Sequence, residues 1–208
     1  MQANSKITPE LIKLAHANVT WDLGNQVLYD LCKKHPEHTR PDEILAKIWL
    51  IGRAYSASIE RRRNKGEGLV GDAFYESVVA PALMKEGIDQ WIYEASNSEK
   101  AGNPQTIRAH KRLTNLFHEL TKMNKRSLAS KYLHFHVPDK FYIYDSRANL
   151  AAKQIAPPRR RLLEIEVDEC DREYEGFVRQ CIWIRDKIHE DYGFHATPRE
   201  IDKLLLSV

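Results

Sequence analysis

Between Ser127 and Ala148 the chain reads Ser-Leu-Ala-Ser-Lys-Tyr-Leu-His-Phe-His-Val-Pro-Asp-Lys-Phe-Tyr-Ile-Tyr-Asp-Ser-Arg-Ala, and two of these side chains can do chemistry. Lys131 is a nucleophile whenever its amine is neutral, and it can form a Schiff base with a suitable carbon. A lysine among so many cations is expected to have a lowered pKa, which enlarges the neutral fraction. Asp145 supplies a fixed carboxylate that can stabilise positive charge developing on a substrate, or orient a water. Both have plain structural readings as well. An aspartate before a helix is commonly its N-cap, and a lysine on an amphipathic helix is commonly solvated. His134 and His136 flank Phe135, but on a helix residues two apart point away from each other, so no metal site is expected. The sequence has no Walker loop, no dinucleotide fingerprint and no cysteine-pair zinc spacing, and no cofactor is expected.

The charge around this stretch is unevenly placed. Residues 1–104 hold 13 Lys/Arg against 14 Asp/Glu, residues 105–161 hold 13 against 3, and residues 162–208 hold 6 against 12. A basic, aromatic middle is therefore flanked by a neutral half and an acidic tail. Cations neutralise phosphates and flat rings stack on unpaired bases, so this middle has the composition of a nucleic-acid surface. The expected phosphate contacts are Arg108, Lys111, Arg112, Lys122, Lys125, Arg126 and Arg147, and the expected base-stacking rings are Tyr132, His134, Phe135 and Tyr144. DNA is expected ahead of RNA. The competing expectation is that the cations pair across the fold with the acidic run from Glu164 to Glu175. A second basic cluster, Arg61-Arg62-Arg63-Asn64-Lys65, extends the patch or complements a helix C-terminus.

A lysine on a short helix, a turn, and an aspartate opening the next helix resemble the helix-hairpin-helix DNA glycosylases. The match is closest to bacterial proteins with an 8-oxoguanine DNA glycosylase-like fold, through Ala129-Ser130-Lys131, Leu133-His134-Phe135, Pro138, Phe141 and Ile143-Tyr144-Asp145-Ser146. It covers roughly residues 105–155. The resemblance implies a base-excising activity, with Lys131 at the Schiff-base position and Asp145 at that of the catalytic aspartate. Cleaving a base from deoxyribose builds positive charge on the sugar, and the base must first leave the stack. The family's hairpin glycines, which approach a DNA phosphate, have no counterpart in Asn124-Lys125-Arg126-Ser127, and Lys131 and Asp145 are only 14 residues apart. The missing glycines favour a second reading, a non-catalytic nucleic-acid-binding module of the same fold. A third comes from Arg112 and His118, whose spacing resembles the Arg-x4–6-His motif of HEPN-type ribonucleases.

The elements that must position these residues read as helices almost throughout. Leu23, Val27, Leu28, Leu31 and Cys32 make one apolar stripe; Ile44, Leu45, Ile48, Trp49, Tyr55 and Ile59 make another; Phe177, Cys181, Ile184 and Ile188 a third. Thr8-Pro9, Asn103-Pro104 and Thr197-Pro198 predict helix starts, the last with a capping-box Glu200, and Gly193 predicts a stop. Ser127 is expected to cap the helix carrying Lys131, and Pro138 to end it. Residues 141–144 are expected to be a short extended connector. Trp21 or Asp22 begins a helix whose Gly24 is expected to allow close packing. Linkers are expected at 61–71, 96–104 and 156–161. The whole is expected to be one all-α multi-helix domain spanning 1–208, an ordinary size for a single core. No apolar run approaches the ~18–20 residues that cross a bilayer, and Met1 to Lys13 has no signal-peptide core. Cys32, Cys170 and Cys181 form no disulfide framework, so a cytoplasmic protein without a membrane partner is expected.

Overall fold

The computed structural model describes residues 7–17, 19–61, 69–157 and 165–208. Arg62 to Lys65, most of the second basic cluster, and Glu164 of the acidic run lie outside them, as do parts of two expected linkers. Among the described residues every regular element is helical. The helices are α1 (Pro9–His16), α2 (Asp22–Lys34), α3 (Pro41–Ala54), α4 (Gly71–Phe74), α5 (Ala80–Lys85), α6 (Ile88–Ser96), α7 (Pro104–Thr121), α8 (Arg126–His136), α9 (Ser146–Ile155), α10 (Arg172–Tyr192) and α11 (Pro198–Leu206). A π-helical turn, Tyr75–Val79, joins α4 to α5, and a 3-10 turn, Val167–Glu169, precedes α10. No helix among the described residues is long and apolar enough to cross a membrane.

The caps read from sequence form as local chemistry requires. Thr8 and Asn103 accept from the backbone N–H groups of Leu11 and Thr106, and Thr197 and Glu200 close a reciprocal capping box. Gly193 ends α10 with φ 69°, a left-handed turn that glycine adopts without a Cβ clash. Ser127 is not the cap of α8. The N-cap is Lys125, which has no side-chain cap bond, and Ser127 sits one residue inside the helix. Gly24 is also not a packing glycine, because a Cβ there would meet nothing within 4 Å.

Two apolar cores lie side by side. The first gathers α2, α3, the helical run 71–85, α6, α7 and α8, around Ile48, Leu83, Phe117 and Tyr132. The second gathers α1, α9, α10 and α11, around Tyr142, Phe177, Cys181 and Leu204. α7 serves both, with Ile107 in the second core and Leu113 and Phe117 in the first. Leu23, Val27 and Trp49 leave the expected stripes and stand at 79%, 57% and 45% exposure. The third stripe, Phe177 to Ile188, is wholly buried.

The connector 141–144 threads between the cores as an extended segment. Its alternation sends Phe141 into the first core and Tyr142 and Tyr144 into the second. A buried segment outside any helix must find other partners for its backbone. Here α8 and α10 supply them: His134 Nδ1 lies 2.8 Å from Phe141 O, Tyr174 Oη donates to Tyr142 O at 3.1 Å, and the Tyr144 N–H donates to Ser130 Oγ at 3.0 Å. This anchoring fixes where Asp145 begins α9.

Candidate active site

Lys131 and Asp145 meet in an open cleft of about 590 Å³ at the seam between the cores. Its walls include Tyr55 and Arg61 from the loop after α3, Ser127 and Lys131 of α8, and Asp145 and Arg147 at the start of α9. The Lys131 ammonium donates to Ser127 Oγ at 2.7 Å and to Tyr144 O at 3.3 Å, and lies 3.7 Å from Asp145 Oδ2. It also sits 5.5 Å from the centre of the Tyr55 ring, a favourable place for a cation. Asp145 is both cap and charge. Its Oδ1 accepts from the Ala148 N–H at 2.9 Å, which leaves Oδ2 turned to the lysine. The capping reading of Asp145 is therefore correct and does not exclude the chemical one.

The lysine side chain is only 2% exposed. Burial pushes its pKa below the ordinary lysine value, against the opposing pull of Asp145 and Asp202. The expected direction holds, but the cause is desolvation and not crowding by cations.

Asp202, on α11, is a member of this electrostatic group that the sequence reading passed over. It is buried, Arg199 donates to its Oδ2 at 2.6 Å, and its Oδ1 has no hydrogen-bond partner among the described residues. Burial raises its pKa to about 6, with Asp145 adding to the rise and Arg199 and Lys131 opposing it. Beneath the lysine, Tyr55 Oη donates to Asn25 Oδ1 at 2.8 Å, and Asn25 Nδ2 has no partner among the described residues. A signal for Asp202 was present: Pro198, Ile201, Asp202 and Leu205 fall at i, i+3, i+4 and i+7, so the aspartate occupies a core-facing position. Lys131 carries the same mark among Leu128, Tyr132 and Phe135.

The expected stacking rings are not on a surface. Tyr132, His134 and Phe135 are buried within the first core, because α8 is covered on nearly every side from Leu128 to Phe135. Tyr132 Oη lies 2.6 Å from His38 Nε2, whose Nδ1 lies 2.6 Å from Asp89 Oδ1. His134 bridges Phe141 O and, at 2.7 Å, Tyr29 Oη. These are structural partners, and of the four rings only Tyr144 lines the cleft.

The expected phosphate contacts divide. Arg126 grips Asp171 through two 2.8 Å contacts and Glu173 at 3.0 Å, and Arg108 pairs with Glu169 at 2.8 Å. These two thus pair with the acidic tail, as the competing expectation has it. Arg112 pairs with Glu94 at 3.3 Å and lies over Trp91. Lys125 is buried, its ammonium donating to Arg61 O, and so ties the loop after α3 to the start of α8. Lys111, Lys122 and Arg147 have no ion-pair partner among the described residues, and Arg147 lines the cleft. Lys122 takes the left-handed turn after α7, φ 56°, without a glycine.

Neither Arg112 nor His118 borders the cleft. No group of three or more metal-ligating side chains occurs among the described residues, and Cys32, Cys170 and Cys181 are all buried. Comparisons of the chain with protein-family models, curated proteins and solved structures returned no match.

Proposed function

We propose that the cleft receives nucleic acid and that the chain acts there as a base-excising glycosylase. The observation that supports this most is the approach of Lys131 Nζ to within 3.7 Å of Asp145 Oδ2, with the other carboxylate oxygen already held as a cap. The surroundings suit an anionic ligand. First-turn residues of α8 and α9 line the cleft, α8 lacks a side-chain cap, and Arg61 and Arg147 stand in the walls.

In this reading the Lys131 amine gives up its proton to water, a loss that burial favours by lowering its pKa. The Nζ lone pair bonds to the anomeric carbon of a flipped nucleotide as the glycosidic C–N bond breaks. The departing base keeps the bonding pair and takes up a proton. The Asp145 carboxylate, 3.7 Å from Lys131 Nζ, stabilises the positive charge on the sugar as it forms. Ring opening then moves the C1′–O4′ pair to oxygen while the Nζ lone pair forms the C=N bond; of the two amine protons, one goes to the departing base and one to O4′, which leaves an imine.

Incubation with DNA carrying oxidised purines or abasic sites, followed by borohydride, should trap a covalent adduct at Lys131. Lys131→Gln should abolish trapping. Asp145→Asn keeps a good N-cap but should cut base release by at least 100-fold, because the charge acts chiefly in the transition state. Absence of an adduct with every lesion would refute the lyase step. The second reading, a binding module without chemistry, draws support from the lack of hairpin glycines in Asn124-Lys125-Arg126-Ser127. It predicts DNA binding that Lys131→Gln and Asp145→Asn leave unaltered, with no base released.

A further inference from the structure

The cleft does not end at Arg61. Its wall at Ser56, Ser58 and Arg61 is shared with a hollow of about 270 Å³ whose remaining lining residue is Arg53. Arg53 in turn borders a cavity of about 600 Å³ that reaches Trp49 and Tyr75. A further hollow of about 250 Å³ shares Trp49, Asp72 and Tyr75. Together they make one groove, running from Lys131 past the C-terminal end of α3 to the π-helical turn.

The groove wall is built by sequence features with no other evident purpose. Gly52 lets the loop fold back on α3: a Cβ there would lie 2.9 Å from Ser58 Cα, and Gly52 O accepts from the Ala57 N–H at 2.8 Å. Ser56 holds φ 50°, a left-handed conformation unfavourable for a residue with a Cβ and frequent at ligand-binding segments. The Arg61 guanidinium closes on Ser56 O, and Lys125 fastens the loop from the other side.

The chemistry changes along the groove. Arg61 and the two serines come first, then Arg53, then the indole of Trp49. Trp49 is 45% exposed although Ile48 and Ile51 of the same helix are buried, and the Arg53 guanidinium lies 5.5 Å from its ring centre. Glu60 holds Arg53 in that place at 2.8 Å and accepts from Tyr75 Oη. Beyond the indole, Asp72 and Glu76 repel phosphate and suit hydrogen-bond donors such as the amino groups of bases. A cation followed by a fixed, exposed ring is what a nucleotide strand needs, phosphate first and base next.

We propose that this groove carries the single strand as it leaves the cleft, with Arg61 against a phosphate and Trp49 stacked on a flanking base. The inference rests on the nucleic-acid reading of the cleft. Its test uses fluorescein-labelled duplexes with a reduced abasic site near one end, extended by zero, two, four or six unpaired nucleotides on either side. Binding is read by anisotropy. Extension on one side should tighten binding to the wild type by about 5- to 100-fold, the range that one stacked base supplies. Trp49→Leu should lose that gain while retaining affinity for the unextended duplex and the borohydride adduct. In a variant with Trp21, Trp91 and Trp183 changed to Phe, the emission of Trp49 should be quenched by the extended DNA only. An equal gain in wild type and Trp49→Leu, or no gain in either, would overturn the strand track and leave the cleft reading intact. Failure of the wild type to bind any of these duplexes would overturn the cleft reading, and the track with it.

Discussion

Acidification should unfold this protein well above the pH at which carboxylates titrate, through three histidines that the fold keeps neutral. His38, His110 and His134 are 3%, 0% and 0% exposed. Burial pushes each from the ordinary value of 6.5 to about 4, outweighing Asp89 beside His38 and Asp171 near His110. The neutral forms are also fixed by their bonds. His134 Nδ1 faces the carbonyl of Phe141, so it carries the proton, and Nε2 accepts from Tyr29 Oη. In the unfolded chain these imidazoles titrate near 6.5, so between pH 6.5 and 4 the unfolded state binds more protons than the folded one. Their contribution is fully present above pH 6.5 and is lost as pH falls towards 4. A shift of that size corresponds to about 3 kcal/mol per histidine. The three together are comparable with the whole stability of a domain, roughly 5–15 kcal/mol. Asp202 acts in the opposite sense. Its pKa is raised to about 6, so its contribution is present below the unfolded carboxylate value and is lost as pH rises through 6. It offsets about one of the three histidines. The net slope should be positive and steep, about 2.4 kcal/mol per pH unit near pH 5 from these groups, and His136, which burial also holds below its ordinary value, adds to it. Urea unfolding followed by circular dichroism from pH 7.5 to 4.5 measures it, and imidazole NMR signals report the individual groups. A stability flat across that window, or a His134 ring titrating near 6.5 while the protein stays folded, would refute the reasoning.

Three further outcomes follow from single residues. Asp202→Asn removes the opposing carboxylate, so the acid slope should steepen and stability at pH 7.5 should rise by up to about 3 kcal/mol; a lower urea midpoint at pH 7.5 would mean that the Arg199 contact outweighs burial. Gly102→Ala should destabilise by about 2–4 kcal/mol, read as a fall in Tm, because φ is 77° and the new Cβ would lie 2.5 Å from Val178 Cγ1. Thr197→Ala should cost about 1 kcal/mol by opening the capping box at α11, whereas Thr197→Ser should be nearly neutral in the same measurement.

What the sequence determined by itself was whatever is settled within a few residues along the chain. Thr8, Asn103 and Thr197 could be read as caps, and Gly193 as a stop, because each bonds or turns against residues three or four positions away. The extended run 141–144 was legible from its flanking Pro138 and Asp145, and Asp145 as a cap from its place before Ser146. Tertiary structure alone decided the rest. The basic middle lost Arg108 and Arg126 to Glu169, Asp171 and Glu173, 45 to 61 residues away for the closest contacts, because a long cation pairs with whichever carboxylate the fold brings near. The stacking rings of α8 went into the core because that helix is enclosed by α2, α3 and α7 together with the connector. Composition does not record how many sides of a helix are covered. Asp202 joined Lys131 and Asp145 by the same route. Its position on an apolar stripe marked it as buried, but which charges it would meet depended on α11 packing against α9, a contact between segments that no local pattern encodes.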